Sequence, residues 1–274
     1  MPLPKNAMEV FKELDKSNCQ ACGKKTCMAF AGAVYKREME IGECPRLPEE
    51  VIRRFSGHGS STQGIKTPQE EYQEHLAALR REVQAIDFQE AALRTGGTFA
   101  DNRLTLKILG KDFSVDTQGK LYSDIHIIPW IVIPFFDYIL YGKGVLPSGE
   151  WISYRNIKDG AQRYPLFQKR CEQAMKQVAD TYTDLFDDIV QVLNGKQVEK
   201  QFQSDISVVM YPLPKVPIMI CYWAPDEGLA STLNVFFDKT ADSNLDSGAL
   251  FNLGAGLAQM FGKLAQKHGH LINQ

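Results

Sequence analysis

Four cysteines near the start of the chain limit its possible folds more than any other feature. Cys19, Cys22, Cys27 and Cys44 are spaced C-x2-C-x4-C-x16-C, with Pro45 directly after the last, in a chain that holds six cysteines in all. The first three lie in one tight loop, "NCQACGKKTC", where short spacing lets successive thiolates converge on one object. The fourth must return from the far end of "MAFAGAVYKREMEIGE", which is rich in helix formers between Met28 and Met39. A helix of that length followed by a turn at Gly42 brings Cys44 back near the loop. Gly23 and Gly32 leave room for close backbone approach, and loop amides there can donate to sulfur.

Whether such thiols form disulfides or hold metal depends on the compartment. The opening "MPLPKNAMEVFKEL" has early charges and no apolar core, so no secretory signal is expected. The most apolar stretch, "IHIIPWIVIPFFDYILYG" from Ile125, is interrupted by two prolines, a histidine and an aspartate. It reads as a buried segment rather than a membrane span. The expectation is a cytoplasmic protein that needs no membrane, where clustered cysteines hold metal. A net charge of −2 gives no reason to expect nucleic acid.

Cysteine-only ligation with mixed spacing and a trailing Cys-Pro suits an iron–sulfur cluster. Structural zinc is the rival, because all-cysteine zinc sites also begin with C-x2-C. Zinc ribbons present two matched pairs, and this sequence has one. Four unrelated cysteines at this density are the least favoured reading.

"NCQACGKKTCMAFAGAVYKREMEIGECP" resembles the small 4Fe–4S domain of the corrinoid/iron–sulfur protein large subunit family of anaerobes. The resemblance covers residues 5 to 48 and includes the four cysteines, Asn18, Thr26, Phe30, Ala31 and Pro45. Arg37 departs from it, at a position where that family carries glycine. It implies a 4Fe–4S cluster on Cys19, Cys22, Cys27 and Cys44, and single-electron transfer to a corrinoid.

After the cysteines, "SGHGSSTQGIKTP" over 56–68 is polar and glycine-rich and reads as a linker. The expected organisation is a cluster domain over 1–55 and an α+β domain over 69–274. In the latter, Tyr72, Leu76, Leu79, Val83 and Ile86 recur at helical steps, and Asp87 with Glu90 starts a second helix ended by Gly96. "RLTLKILGKDFSVD" reads as two antiparallel strands. Pro134 is expected in the first turn of a helix, and a long helix is expected from Leu166 to Asn194 with Cys171 on its apolar stripe. "SDISVVMYPLPKVPIMICYW" gives two strands and "STLNVFFD" another. A final helix carries Gly254 and Gly256 for close packing. The fold class is α+β: a small helical cluster module followed by antiparallel strands with helices.

"YILYGKGVLPSGEWISYRNI" and "YWAPDEGLASTLNVFFDKTADSNL" resemble an uncharacterised family, domain of unknown function 3786, found fused to this cluster domain in anaerobes. That resemblance implies a family and no reaction. Gly228 departs from it, where a bulkier aromatic is expected.

Candidate chemistry in this second part is sparse. His126, among isoleucines, is either a core residue or a ligand to cobalt or iron. Trp130 and Trp223 stand among the aromatics that would wall a flat ligand such as a corrinoid (cobalamin), although core packing explains most of those rings. Asp226 and Glu227 read first as a solvated turn and second as a small-substrate site. Cys221 reads as a strand-core residue, and His58, His268 and His270 as solvated. No nucleophile elbow, phosphate-binding loop or zinc-protease motif is present. Lys16, Lys24 and Lys25 read equally as a docking face for a redox partner protein or corrinoid protein and as a plain solvated face. The sequence fits an electron-transfer or cofactor-binding protein better than a self-sufficient enzyme, with corrinoid storage and small-substrate reduction as alternatives.

Overall fold

In a computed structural model the described residues are 6–36, 38–56, 67–182 and 184–269. Arg37, His58, His270 and most of the expected linker lie outside them. The chain divides into two compact units, Met1–Glu74 and His75–Gln274.

Three short helices build the first unit: α1 (Ala7–Glu13), α2 (Cys27–Tyr35) and α3 (Glu49–Ser56). Asn6 caps α1 by accepting from Glu9 N–H at 3.1 Å, and Thr26 caps α2 by accepting from Ala29 N–H at 3.1 Å. α2 ends sooner than its helix-forming sequence suggests, because Glu38 N–H closes on the Ala33 carbonyl at 2.8 Å. A 3₁₀ turn over Ile41–Glu43 then delivers Cys44. Val10, Leu14, Cys27, Phe30, Ala31, Ile41, Cys44 and Leu47 form the core of this unit.

α4 (Pro68–Val83) starts with a reciprocal cap: Glu70 N–H donates to Thr67 Oγ1 while Thr67 N–H donates to Glu70 Oε2. α5 (Phe88–Thr95) begins on the Asp87 carboxylate, which accepts from Gln89 and Glu90 N–H, and ends at left-handed Gly96. A four-stranded antiparallel meander follows: β1 (Thr98–Ala100), β2 (Arg103–Ile108), β3 (Lys111–Asp116) and β4 (Leu121–Ser123).

α6 (Pro129–Tyr141) contains Pro134 in its interior, and Pro129 holds its start. The helix therefore begins a turn and more before the expected position. Its N-terminal flank, including His126, is an exposed connection rather than core. The apolar run 131–139 is buried as expected, and among the described residues no helix is long and apolar enough to cross a membrane.

β5 (Trp151–Ser153) precedes the expected long helix, which is broken in two. α7 (Tyr164–Phe167) passes through a π turn (Gln168–Glu172) into α8 (Gln173–Thr181). α9 (Leu185–Val192) starts afresh. The break comes where Thr181 Oγ1 bonds back to the Gln177 and Val178 carbonyls and Tyr182 turns extended.

The remaining strands, β6 (Lys196–Gln197), β7 (Ile206–Leu213), β8 (Val216–Trp223) and β9 (Thr232–Asp238), join β5 in a second antiparallel sheet of order β5-β9-β8-β7-β6. β8 is buried from Val216 to Tyr222, the pattern of a strand covered on both faces. α10 (Ala241–Asn244) leads to α11 (Ser247–Gly269), which packs on α6, α8 and the π turn. Gly254 and Gly256 allow that packing: a Cβ at 254 would stand 2.6 Å from Phe167, and one at 256 would overlap the Trp130 indole. Tyr154 and Phe167 stack beneath at 4.3 Å between ring centroids.

Candidate metal centre

The loop between α1 and α2 holds Cys19 and Cys22, and Cys27 opens α2 directly after it. The loop backbone is left-handed at Lys16, Asn18, Gln20 and Gly23 (φ 61°, 52°, 62° and 77°). Alternating left-handed residues turn N–H groups toward a common side, the geometry of backbone nests that hold anions and iron–sulfur groups. Asn18 anchors the loop to α2. Its N–H donates to Cys27 Sγ at 3.3 Å, and its Oδ1 accepts from Cys27 N–H at 2.7 Å. The second bond satisfies a donor that the first turn of a helix leaves open.

A polar clasp joins the two ends of the cysteine segment. Ser17 donates to Asp15 from its N–H at 3.1 Å and its hydroxyl at 2.9 Å. Arg46, two residues past Cys44, reaches Asp15 Oδ2 at 3.3 Å. The Ser17 N–H first, then its hydroxyl and Arg46, hold the Asp15 carboxyl below the usual carboxylate range. Cys19 is half-buried beside this clasp, and the Ala21 N–H followed by the Ser17 hydroxyl lowers its thiol below its ordinary value.

Cys27 and Cys44 are buried in one apolar cluster against which half-buried Cys22 packs. All four thiols are free, and Cys27 Sγ stands 3.8 Å from Asp15 Oδ1. Among the described residues no three His, Cys, Asp or Glu side chains are gathered as a metal-ion site. The structure thus places three thiols in one core and the fourth at its polar rim, without a closed ligand sphere.

Comparison with known proteins separates the two parts of the chain. Residues 14–46 match a family model described as "Putative Fe-S cluster". Residues 87–260, well over half of the chain, match the family described as domain of unknown function, DUF3786. The chain belongs to the DUF3786 family. The acetyl-CoA decarbonylase/synthase complex subunit gamma of Methanopyrus kandleri is 45% identical over 50 residues, 18% of this chain and 11% of that protein. The same subunit of Methanocaldococcus jannaschii is 45% identical over 47 residues, 17% of this chain and 10% of its own. The corrinoid/iron-sulfur protein large subunit of Moorella thermoacetica is 34% identical over 47 residues, again 17% and 10%. The chain thus spans about a tenth of the length of these curated relatives. No solved structure matches at a significant level.

Within the DUF3786 segment, the sequence-based candidates are scattered. His126 is exposed on the β4–α6 connection. Trp130 lies against Gly256 of α11, and Trp223 closes β8 beside the cluster of Val209, Met219 and Cys221. Asp226 and Glu227 form an exposed turn pinned by the Asp226–Leu229 bridge, with left-handed Glu227 and Gly228. Cys171 and Cys221 are fully buried, as core residues should be.

The segments that resemble the family are held together by polar groups that pattern alone did not single out. Lys215 Nζ donates to the Arg94 and Gly144 carbonyls at 2.7 and 2.9 Å. Asn244 brackets Val145, and buried Asp238 accepts from Ser148, Gly149 and Thr240. Burial pushes Asp238 up, but these donors outweigh it and hold the carboxyl low. They fix the 142–150 loop and explain those segments as architecture. Recesses among the described residues of the DUF3786 segment include the following two. A cleft of about 450 Å³ has exposed Lys107, Lys111 and Lys196 on its walls. A smaller one of about 190 Å³ has buried Glu172 on its wall. Neither is lined by His126, Trp130, Trp223, Asp226 or Glu227.

Proposed function

We propose that residues 1–55 form a 4Fe–4S domain, joined through 56–68 to the α+β domain over 69–274, and that Cys19, Cys22, Cys27 and Cys44 hold the cluster. The protein then acts as a cytoplasmic redox accessory protein of anaerobic metabolism, exchanging single electrons with a corrinoid carried by a partner. One observation carries this reading. The segment with all four cysteines is the part shared with subunits whose names specify an iron–sulfur protein, a corrinoid, or the acetyl-CoA decarbonylase/synthase complex.

The residues fit the group. The donor set is thiolate only, an amide already points at Cys27 Sγ, and the loop has the nest geometry described above. When bound, such a cluster supplies one-electron oxidation and reduction. The chain's own contribution is to hold and shield it. Asn18 sets the start of α2 against the loop, the apolar core at Phe30 and Ile41 excludes water from the Cys27 and Cys44 side, and the Asp15–Arg46 clasp ties Cys44 back to Cys19. Cys19 and Cys22, half-exposed among Lys16, Lys24 and Lys25, give the face on which an acidic partner docks.

Corrinoid binding by the second domain is the competing reading, with His126 as cobalt ligand and Trp130 and Trp223 as walls. Its support is the exposure of His126 beside exposed Ile127. The test is anaerobic purification with iron and sulfide analysis, then absorption spectra before and after hydroxocobalamin and a reductant. The proposal expects about four iron per chain and cobalamin bands that do not co-elute with the protein. Co-elution that His126→Ala abolishes moves the corrinoid onto the second domain. A colourless zinc protein overturns both readings.

A further inference from the structure

The larger recess is a basic cleft with fixed walls. One wall is the two-residue turn between β2 and β3, where Leu109 and Gly110 are both left-handed (φ 49° and 78°). Leucine at the first of these positions carries a backbone cost that glycine would avoid. Packing holds it there: Leu109 is buried, and its N–H donates to the Tyr211 carbonyl at 3.0 Å. The second wall is the end of α9, where left-handed Asn194 lies so close to Gly110 that a Cβ on the glycine would stand 2.6 Å from the asparagine Cβ. The third is β7. Its pairing with β8 shifts register between Met210 and Leu213, and there Tyr211 is exposed in an otherwise buried run. Irregularities of this kind re-aim a side chain, and they are frequent next to active sites.

Lys107 and Lys111 flank the turn and Lys196 follows closely on Asn194, so stems on three strands carry ammonium groups to one cleft of about 450 Å³. Lys107 is engaged, with Nζ 2.7 Å from Asp112 Oδ1. Among the described residues Lys111 and Lys196 have no ion-pair partner, and no acid lines the cleft. The side chains of Gln191, Asn194 and Tyr211 also stand on its walls, without a hydrogen-bond partner among the described residues. A chain with a net charge of −2 thus gathers two unpaired ammonium groups and three unengaged polar side chains in one place. Two like charges on one recess repel, and an anion seated between them relieves that repulsion.

Ammonium groups act as point charges and suit the several oxygens of a phosphate. The flat fork that selects a single carboxylate belongs to arginine, and among the described residues no arginine lines the cleft. The volume is that of a small-molecule site rather than of one inorganic ion. Val192, Pro214 and the Tyr211 ring supply an apolar side. We infer that this cleft binds a small organic di- or triphosphate, with Lys111 and Lys196 on the phosphate oxygens and the organic group against Tyr211 and Pro214.

The test is calorimetric titration of the full chain, free of divalent cations, with ADP as the probe. Pyrophosphate and adenosine serve as its separate parts, and citrate as a polycarboxylate. The expected result is saturable ADP binding, weaker pyrophosphate binding, no detectable adenosine binding, and citrate binding weaker than that of ADP by roughly tenfold or more. ADP binding should also weaken as salt is raised, because charge meets charge on an open surface. Changing Lys111→Met and Lys196→Met together should weaken ADP by roughly tenfold or more. Lys158→Met, which alters an exposed lysine outside the cleft, should leave it unchanged. Tyr211→Ala should weaken ADP and spare pyrophosphate. The lysines are exposed, and a thermal melt confirms that each variant is folded. The inference is overturned by absence of saturable ADP binding, by citrate or pyrophosphate binding as tightly as ADP, by an equal loss in Lys158→Met, or by ADP binding that survives the loss of both Lys111 and Lys196.

Discussion

The two units of this chain solve the problem of stability in different ways. The first rests on helices of seven, nine and eight residues, each too short to persist alone. Two of the eight members of its core cluster are cysteines. The second has two antiparallel sheets, a strand buried along nearly its whole length and stacked aromatic rings under a long helix. Units as small as the first usually need a cross-link or a metal, whereas the second has apolar surface enough to fold on its own. In the first, two of the proposed ligands, Cys27 and Cys44, are also core residues, so chemistry and stability cannot be separated there. In the second, the candidate groups His126, Asp226 and Glu227 are exposed and stand outside the core.

The sharpest way to break that contrast is to remove a ligand. Cys27→Ser or Cys44→Ser should abolish iron binding and unfold the first unit, since metal binding and folding are one equilibrium in such small modules. The second unit should keep its melting transition. Loss of iron with both transitions intact would show that the first unit folds on its apolar core alone. The reverse experiment is Gly256→Ala, whose Cβ has no room beside the Trp130 indole. It should cost the second unit about 1–3 kcal/mol in denaturant midpoint and leave iron content unchanged.

The same contrast decides what could be read from sequence. Cysteine spacing exposes the first unit because only a few residue types hold metal and the segment is short. In the second, local chemistry was legible where one residue decides the outcome. The Asp87 cap, the left-handed Gly96 and the glycines of α11 are examples. What failed depended on partners distant in sequence. Pro134 looks like a helix start because the apolar run before it has no period to show that Pro129 begins the helix. The stripe from Phe167 to Val192 reads as one helix because its apolar spacing runs on across Tyr182, where the Thr181 hydroxyl bonds back and the backbone turns extended. Nothing in the sequence marks Glu172 as buried. Its burial depends on the open edge of β9, more than sixty residues later in the chain.

A milder change sharpens the contrast within the first unit. Asn18→Ala removes the 2.7 Å bond to Cys27 N–H and leaves alanine in a left-handed conformation. The bond is worth about 1 kcal/mol and the backbone roughly 1–2 kcal/mol. Asn18→Gly loses only the bond. Iron release to a chelator should therefore be fastest in the alanine variant, intermediate in the glycine variant and slowest in the parent. Equal rates in all three would remove Asn18 from the site.

The smallest effect should come from Asp137, on the partly buried face of α6. Burial first, then Asp246 and Glu82, raises its carboxyl to about 7. A group raised in the folded state costs nothing below its unfolded value, where both states hold the proton. Its penalty grows as pH climbs from there to about 7 and is constant above. Asp137→Asn, which cannot ionise, should therefore match the parent in acid and become progressively more stable than it toward neutral pH, with the gap levelling off beyond. Thermal melts of the second unit across that range measure the gap directly. Water still reaches part of the side chain, so screening keeps the gap modest. A variant that instead becomes less stable than the parent toward neutral pH would mean that a donor holds Asp137 ionised, against the repulsion of Asp246 and Glu82.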